Sequence, residues 1–222
     1  RFPATLELAL FSFVFVILLS SVLGFIVVWN RNKSVDRAAG IFSVLFLSLP
    51  NIWLGTLLIF FFSLQLHWFP VVGRGGFTHL VLPVLTLGLP IAALQGRVLR
   101  TAVLEVLGRD HCRFALAKGL RPWTVFRSHI LKNALPSVIS LWGITLGHLI
   151  SGVFVVESIF SWPGLGRLMV EAVMNRDLPL IQGLVFLTAA AFVIINHGVE
   201  WILKLLDPRL KAQGIQTEGV LF

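Results

Sequence analysis

Three side chains capable of acid–base or nucleophilic work, His148, Ser151 and Glu157, fall close together in one apolar stretch, Pro136–Phe160. Asn196, His197 and Glu200 form a second polar group near the end of another. An intramembrane hydrolase or metalloprotease built on His148, Ser151 or Glu200 would hold a base against a nucleophile, or two metal ligands one helical turn apart. Neither HExxH nor GxSxG occurs, and the three residues are spread over different depths and helices. Cys112 is the lone cysteine, without an internal disulfide partner or a Cys/His pair at zinc spacing. No catalytic residue and no metal ligand is assigned, and redox chemistry is not expected.

The surrounding residues belong to membrane. Hydrophobic types make up 57% of the 222 residues and charged types only 13%, about half the share of a soluble domain. A helix needs roughly 20 apolar residues to cross the hydrocarbon, where its backbone groups can be satisfied only internally. Five such segments are expected, at about Leu6–Trp29, Ala38–Leu66, His79–Val103, Pro136–Phe160 and Leu178–Leu206. The fold class is therefore all-α, a polytopic helix bundle forming a single transmembrane domain over 1–222. Of the eighteen Lys and Arg residues, fourteen sit after the first span, between the third and fourth, or at the chain's end, against four on the opposite faces. That bias makes the first set cytoplasmic. Basic residues beside spans are explained by orientation and anionic lipid, so nucleic acid is excluded as a partner. Five spans with a cytoplasmic C-terminus place the N-terminus outside, and one further span upstream of Arg1 is expected in the parent protein, six in all.

Punctuation along the chain supports these bounds. Pro3 suits a first helical turn and Glu7 its positive end. Ser48-Leu49-Pro50-Asn51, Pro83 and Pro90 should kink or break the second and third spans. His67-Trp68-Phe69-Pro70 and Gly73-Arg74-Gly75-Gly76 read as an external loop, not a phosphate cradle, since the Lys-Ser/Thr and strand of a P-loop are absent. Gly143, Gly147 and Ser151 form a small-residue stripe where another helix, in this chain or a second subunit, can approach. Residues 161–178 read as an outer tight turn and short amphipathic helix.

Between the third and fourth spans the loop 105–132 reads as helix, turn, helix. Arg113-Phe114-Ala115-Leu116-Ala117-Lys118 are helix formers that stop at Gly119, and Pro122 opens a second piece over Trp123–Leu135. An exposed short helix of that kind fits a groove on a soluble partner or lies against anionic lipid. Arg113-x-Ala115-x-Ala117-Lys118-Gly119-Leu120 resembles the cytoplasmic loop motif of binding-protein-dependent ABC importer permeases of the dipeptide, oligopeptide and nickel branch. Pro3-Ala4-Thr5-Leu6-Glu7-Leu8-Ala9, Ser48–Leu54, Leu82–Gly88, Glu157–Arg167 and Leu206-Asp207-Pro208-Arg209 are similar to the same branch in order and spacing. The broader family has Glu where Arg113 stands, and His129 and Lys132 occupy places of its Ile-x-Leu-Pro element.

The resemblance implies a type I importer permease fold in a bacterial inner membrane. Residues Arg113, Phe114, Ala115, Leu116, Ala117, Lys118, Gly119 and Leu120 would then form a coupling helix seated on an ATP-hydrolysing subunit. It implies two such ATPase subunits, which carry ATP and Mg while this chain binds no cofactor. A second permease subunit and a periplasmic or lipid-anchored solute-binding protein complete the assembly. His148 is either on the solute pathway, a transient ligand if nickel is the cargo, or a neutral imidazole bridging two helices, since a charge at that depth costs ~2.5–3.5 kcal/mol or more. Ser151 and Glu157 are further pathway candidates, and Glu157 could instead contact the docked binding protein or face water. Asn196, His197 and Glu200 read as a hydrogen-bonded helix end. Peptide is the first expectation for cargo and nickel the second. A transporter or channel working alone would show two related halves and a charged midplane site, and neither is visible.

Overall fold

The computed structural model describes residues 1–29, 33–131, 141–142, 145, 149 and 152–206. Regular structure among the described residues is entirely helical: α1 (Phe2–Trp29), α2 (Lys33–Ser48), α3 (Asn51–Leu58), α4 (Phe77–Gly108), α5 (Asp110–Ala117), α6 (Pro122–Val125), α7 (152–159), α8 (Leu165–Met174) and α9 (Leu178–Leu206). Among the described residues three helices are long and apolar enough to cross a membrane, in Phe2–Ile26, Phe77–Gly108 and Leu178–Gly198, or four if a bent pair over Arg37–Gln65 counts as one span. Nearly half of the fourth expected span, Pro136–Phe160, lies outside the described residues.

The second expected span is a broken pair. α2 stops at Ser48, Pro50 caps α3 in an extended conformation, and the axes bend by 106°. Proline's missing N–H and the extended bias it imposes on Leu49 explain the stop. α3 continues as a wider π turn over Ile59–Gln65 and ends at His67, whose φ is +56°. Pro83 and Pro90, by contrast, sit inside α4 without interrupting it.

α1 lies along α4, and Leu8, Ala9, Leu80, Leu82 and Leu87 join Leu149, Val153, Val156, Phe160 and Trp162 in the main core. The close approach depends on glycine. A Cβ on Gly88 would lie 2.5 Å from the Phe15 ring, one on Gly96 2.7 Å from Leu23 Cβ, and one on Gly24 2.3 Å from Leu99 Cγ. With buried Ala92, Gly88 and Gly96 form a small-residue row at four-residue spacing on α4, the pattern that lets membrane helices pack by dispersion alone. The stripe expected from Gly143, Gly147 and Ser151 lies outside the described residues.

Candidate functional site

At its C-terminal end α4 gives way at Arg109, whose extended backbone turns the chain into α5. Cys112 and Ala115 are buried and hold α5 onto Leu99, Val103 and Val106 of α4 and onto Val125, Phe126 and Ile130. Burial pushes the Cys112 thiol pKa up, with Arg109 opposing through its charge. The helix ends as the glycine predicts. Gly119 takes φ +80°, and the Leu120 N–H reaches back to the Ala115 carbonyl at 3.3 Å, the six-to-one bond of a Schellman stop. Pro122 opens α6, a π turn over Phe126–Leu131 follows, and residues 132–135 of the expected helix lie outside the described residues.

The expected coupling residues therefore divide. Phe114 (65% exposed), Ala117, Lys118, Gly119 and Leu120 face outward, with Trp123 beside them, whereas Ala115 is part of the support and is not presented to a partner. Lys118 Nζ stands 5.0 Å from the Phe114 ring centre, so the charge rides on the aromatic face. The Arg113 and Leu116 side chains lie outside the described ones. This outward face is apolar at its centre and basic at its edge.

At the opposite end sits Glu157, expected on the solute pathway, against a docked binding protein or facing water. Its carboxylate neither faces water nor is presented to a docked protein, because the residue is fully buried. Oε1 accepts a hydrogen bond from Thr5 Oγ1 at 2.6 Å, and Oε2 accepts from the backbone N–H groups of Gly166 (2.6 Å) and Arg167 (3.3 Å). Glu157 thus caps the N-terminus of α8, where free N–H groups and the helix dipole favour an anion. Thr5 Oγ1 also accepts from Leu165 N–H at 2.8 Å, and Trp162 Nε1 donates to the Ala4 carbonyl at 2.8 Å. The intervening Gly164 cannot carry a side chain, since a Cβ there would fall 2.0 Å from the carboxylate. Around this knot Gly73 N–H donates to the Phe160 carbonyl at 2.9 Å, Arg74 pairs with Glu7, and Arg167 bridges Glu171 and the Ser161 carbonyl. α8 then packs Leu165 and Ala172 against Leu184 of α9, and Asp177 caps α9 through the Leu180 N–H at 3.1 Å.

Several other expected residues fall outside the described ones. His148 and Ser151 lie outside the described residues, as does the Glu200 side chain. His197 is exposed, its Nδ1 2.9 Å from the Val193 carbonyl within its own helix. A buried polar pair that sequence reading missed lies between α4 and residue 145: Gln95 Nε2 donates to Thr145 Oγ1, leaving Gln95 Oε1 enclosed with no partner among the described residues. A polar residue amid the Gly88–Gly96 row was its only signal. Among the described residues no group of three His, Cys, Asp or Glu could hold a metal ion.

Residues 16–212 match the family described as "Binding-protein-dependent transport system inner membrane component", and the chain belongs to that family. It is 36% identical over 219 residues, 95% of its length and 70% of the relative's, to a probable peptide ABC transporter permease protein of Sinorhizobium fredii. It is 38% identical over 211 residues to the glutathione transport system permease protein GsiC of Escherichia coli K12, covering 95% of this chain and 69% of that one. Two chains of the MetNI methionine ABC transporter, solved in inward-facing conformations, superpose with TM-scores of 0.77 and 0.68 at 19% and 20% identity. The former covers 92% of this chain and 93% of its own, the latter 92% of both. They share the fold, that of a type I importer permease. The chain is a multi-pass inner-membrane permease component of an ABC importer.

Proposed function

We propose that this single permease domain crosses the membrane five times and lines one half of a solute pathway opposite a second permease subunit. Two ATP-hydrolysing subunits drive it, and an external solute-binding protein feeds it. ATP and Mg belong to the motor subunits, and this chain binds no cofactor. The observation that carries the reading is α5. It is a short helix with a sharp glycine stop, riveted to α4 through Cys112 and Ala115, that leaves Phe114, Ala117, Lys118 and Leu120 uncovered. Displacing such a peg moves α4 with it, because Leu99, Val103 and Val106 are packed against its base. The motor's nucleotide cycle then biases two states of the bundle.

The cargo we propose is a short peptide, glutathione included, in keeping with the relatives named above for peptide and glutathione transport. Nickel, the second expectation, has no observation in its favour among the described residues. Replacing both Phe114 and Leu120 by Asp tests the coupling. Removing two such apolar anchors should weaken retention of the motor subunit by roughly 30-fold or more and abolish uptake. Unchanged uptake together with an unchanged yield of motor on purification would overturn the proposal.

A further inference from the structure

A groove of about 540 Å³ opens between the first turns of α2 and the cytoplasmic part of α4, and it belongs to neither end described above. Its walls are Arg37, Gly40, Ile41, Val44, Leu45 and Arg97. Both arginines are exposed, and among the described residues no carboxylate is placed against either guanidinium. Arg97 lies twenty residues beyond Phe77, roughly 30 Å along α4 at ~1.5 Å per residue, in the last two turns of the span expected over His79–Val103 and so within a long side chain's reach of its inner edge. From Arg37 to Leu45 the apolar wall climbs roughly 12 Å in the other direction, into the bilayer. Gly40 leaves the middle of this wall recessed, with nothing within 4 Å of where a Cβ would stand.

We propose that this groove binds an anionic phospholipid of the cytoplasmic leaflet, its phosphate held by Arg37 and Arg97 and one acyl chain lying along Gly40, Ile41, Val44 and Leu45. The charge pattern selects this occupant. Two guanidiniums at headgroup depth, above an apolar furrow, match a phosphate joined to a hydrocarbon tail, whereas an apolar helix of a protein partner would leave both charges unpaired. The inference rests on the cytoplasmic placement of this end and is independent of cargo and of the α5 peg.

The test uses the assembled transporter purified through this subunit, in nanodiscs of phosphatidylcholine carrying a trace of phosphatidylglycerol with a photoreactive acyl chain. Labelled peptides are mapped by mass spectrometry. Labelling should fall on α2, be competed by unlabelled phosphatidylglycerol, and drop by roughly 30-fold in the R37Q/R97Q double variant, as expected for two basic residues at an anionic surface. G40L should reduce it with both charges intact, by filling the tail's place. Four results would each overturn the proposal: labelling of R37Q/R97Q equal to wild type, equal labelling by a phosphatidylcholine probe, displacement by inorganic phosphate as complete as by the lipid, or an α2 left unlabelled because protein covers it. The competition and headgroup arms use the unaltered protein and so decide the matter even if a variant fails to assemble.

Discussion

Glu157 shows how one side chain can hold an end of the molecule together. Its carboxylate accepts from a hydroxyl and two backbone N–H groups, and truncation strands all three donors in a dry site. Glu157→Ala should cost roughly 3 kcal/mol or more, while Glu157→Gln, which keeps the shape and one acceptor, should cost about 1 kcal/mol. Cys112 supplies the reporter. As the lone thiol, buried and with its pKa raised, it should react with a maleimide only as the fold opens, so the temperature at which labelling begins reads stability directly. The sign of its own pH effect follows. A thiol held neutral contributes stability below the ordinary thiol pKa of about 8.5, and that contribution is lost as pH climbs past it. Labelling onset should therefore move to lower temperature in alkaline buffer, and a Cys112→Ala protein followed by another probe should lack that drift. Little of this was legible beforehand. Glu157 read as a pathway candidate or an outward-facing group at the end of a span because its partners are Thr5, 152 positions away, and backbone groups that carry no sequence signature.

Among the elements, α5 and the α2–α3 break were the legible ones, because proline and glycine act locally. Gly119 announced its left-handed turn, and Pro50 announced the bend but not its 106° size, which packing decides. Pro83 and Pro90 announced a kink or a break, and α4 runs through both unbroken. A buried helix flanked by neighbours tolerates the lost bonds, and α4 is so flanked by α1, α2 and α3. At Gly119 the restriction is purely conformational, since nothing lies within 4 Å of an added Cβ. Gly119→Asn should keep uptake near wild type, whereas Gly119→Val, which resists positive φ, should reduce it several-fold with the motor still bound. Solute uptake and motor retention measured side by side separate the two. Gly166→Ala differs in kind: its Cβ would meet the Phe154 backbone at 2.3 Å, so folded yield should fall, while Gly183→Ala, with open space, should be silent.

For the whole molecule, the membrane bundle could be read from apolar run lengths, and fourteen basic residues against four point to an orientation. What hydropathy could not supply was the pairing of α1 with α4, because lipid-facing and protein-facing apolar residues look alike in composition. Only the Gly88-Ala92-Gly96 row betrayed it. The orientation makes a direct prediction. In the Cys112→Ala background, cysteine at Val72 should react with a membrane-impermeant maleimide from outside intact cells, and cysteine at Lys118 only after the membrane is breached. Both residues are exposed in the fold.

The knot at Thr5, Glu157 and Trp162 also bears on how the protein is made. Its parts are joined by bonds spanning about seven tenths of a chain that the ribosome releases in order, so α1 enters the bilayer with Thr5 and the Ala4 carbonyl unmatched. They stay unmatched until residues 157–167 emerge. A nascent chain arrested before that point should be recognised by membrane proteases as unfinished, whereas one arrested just after it should already resist them.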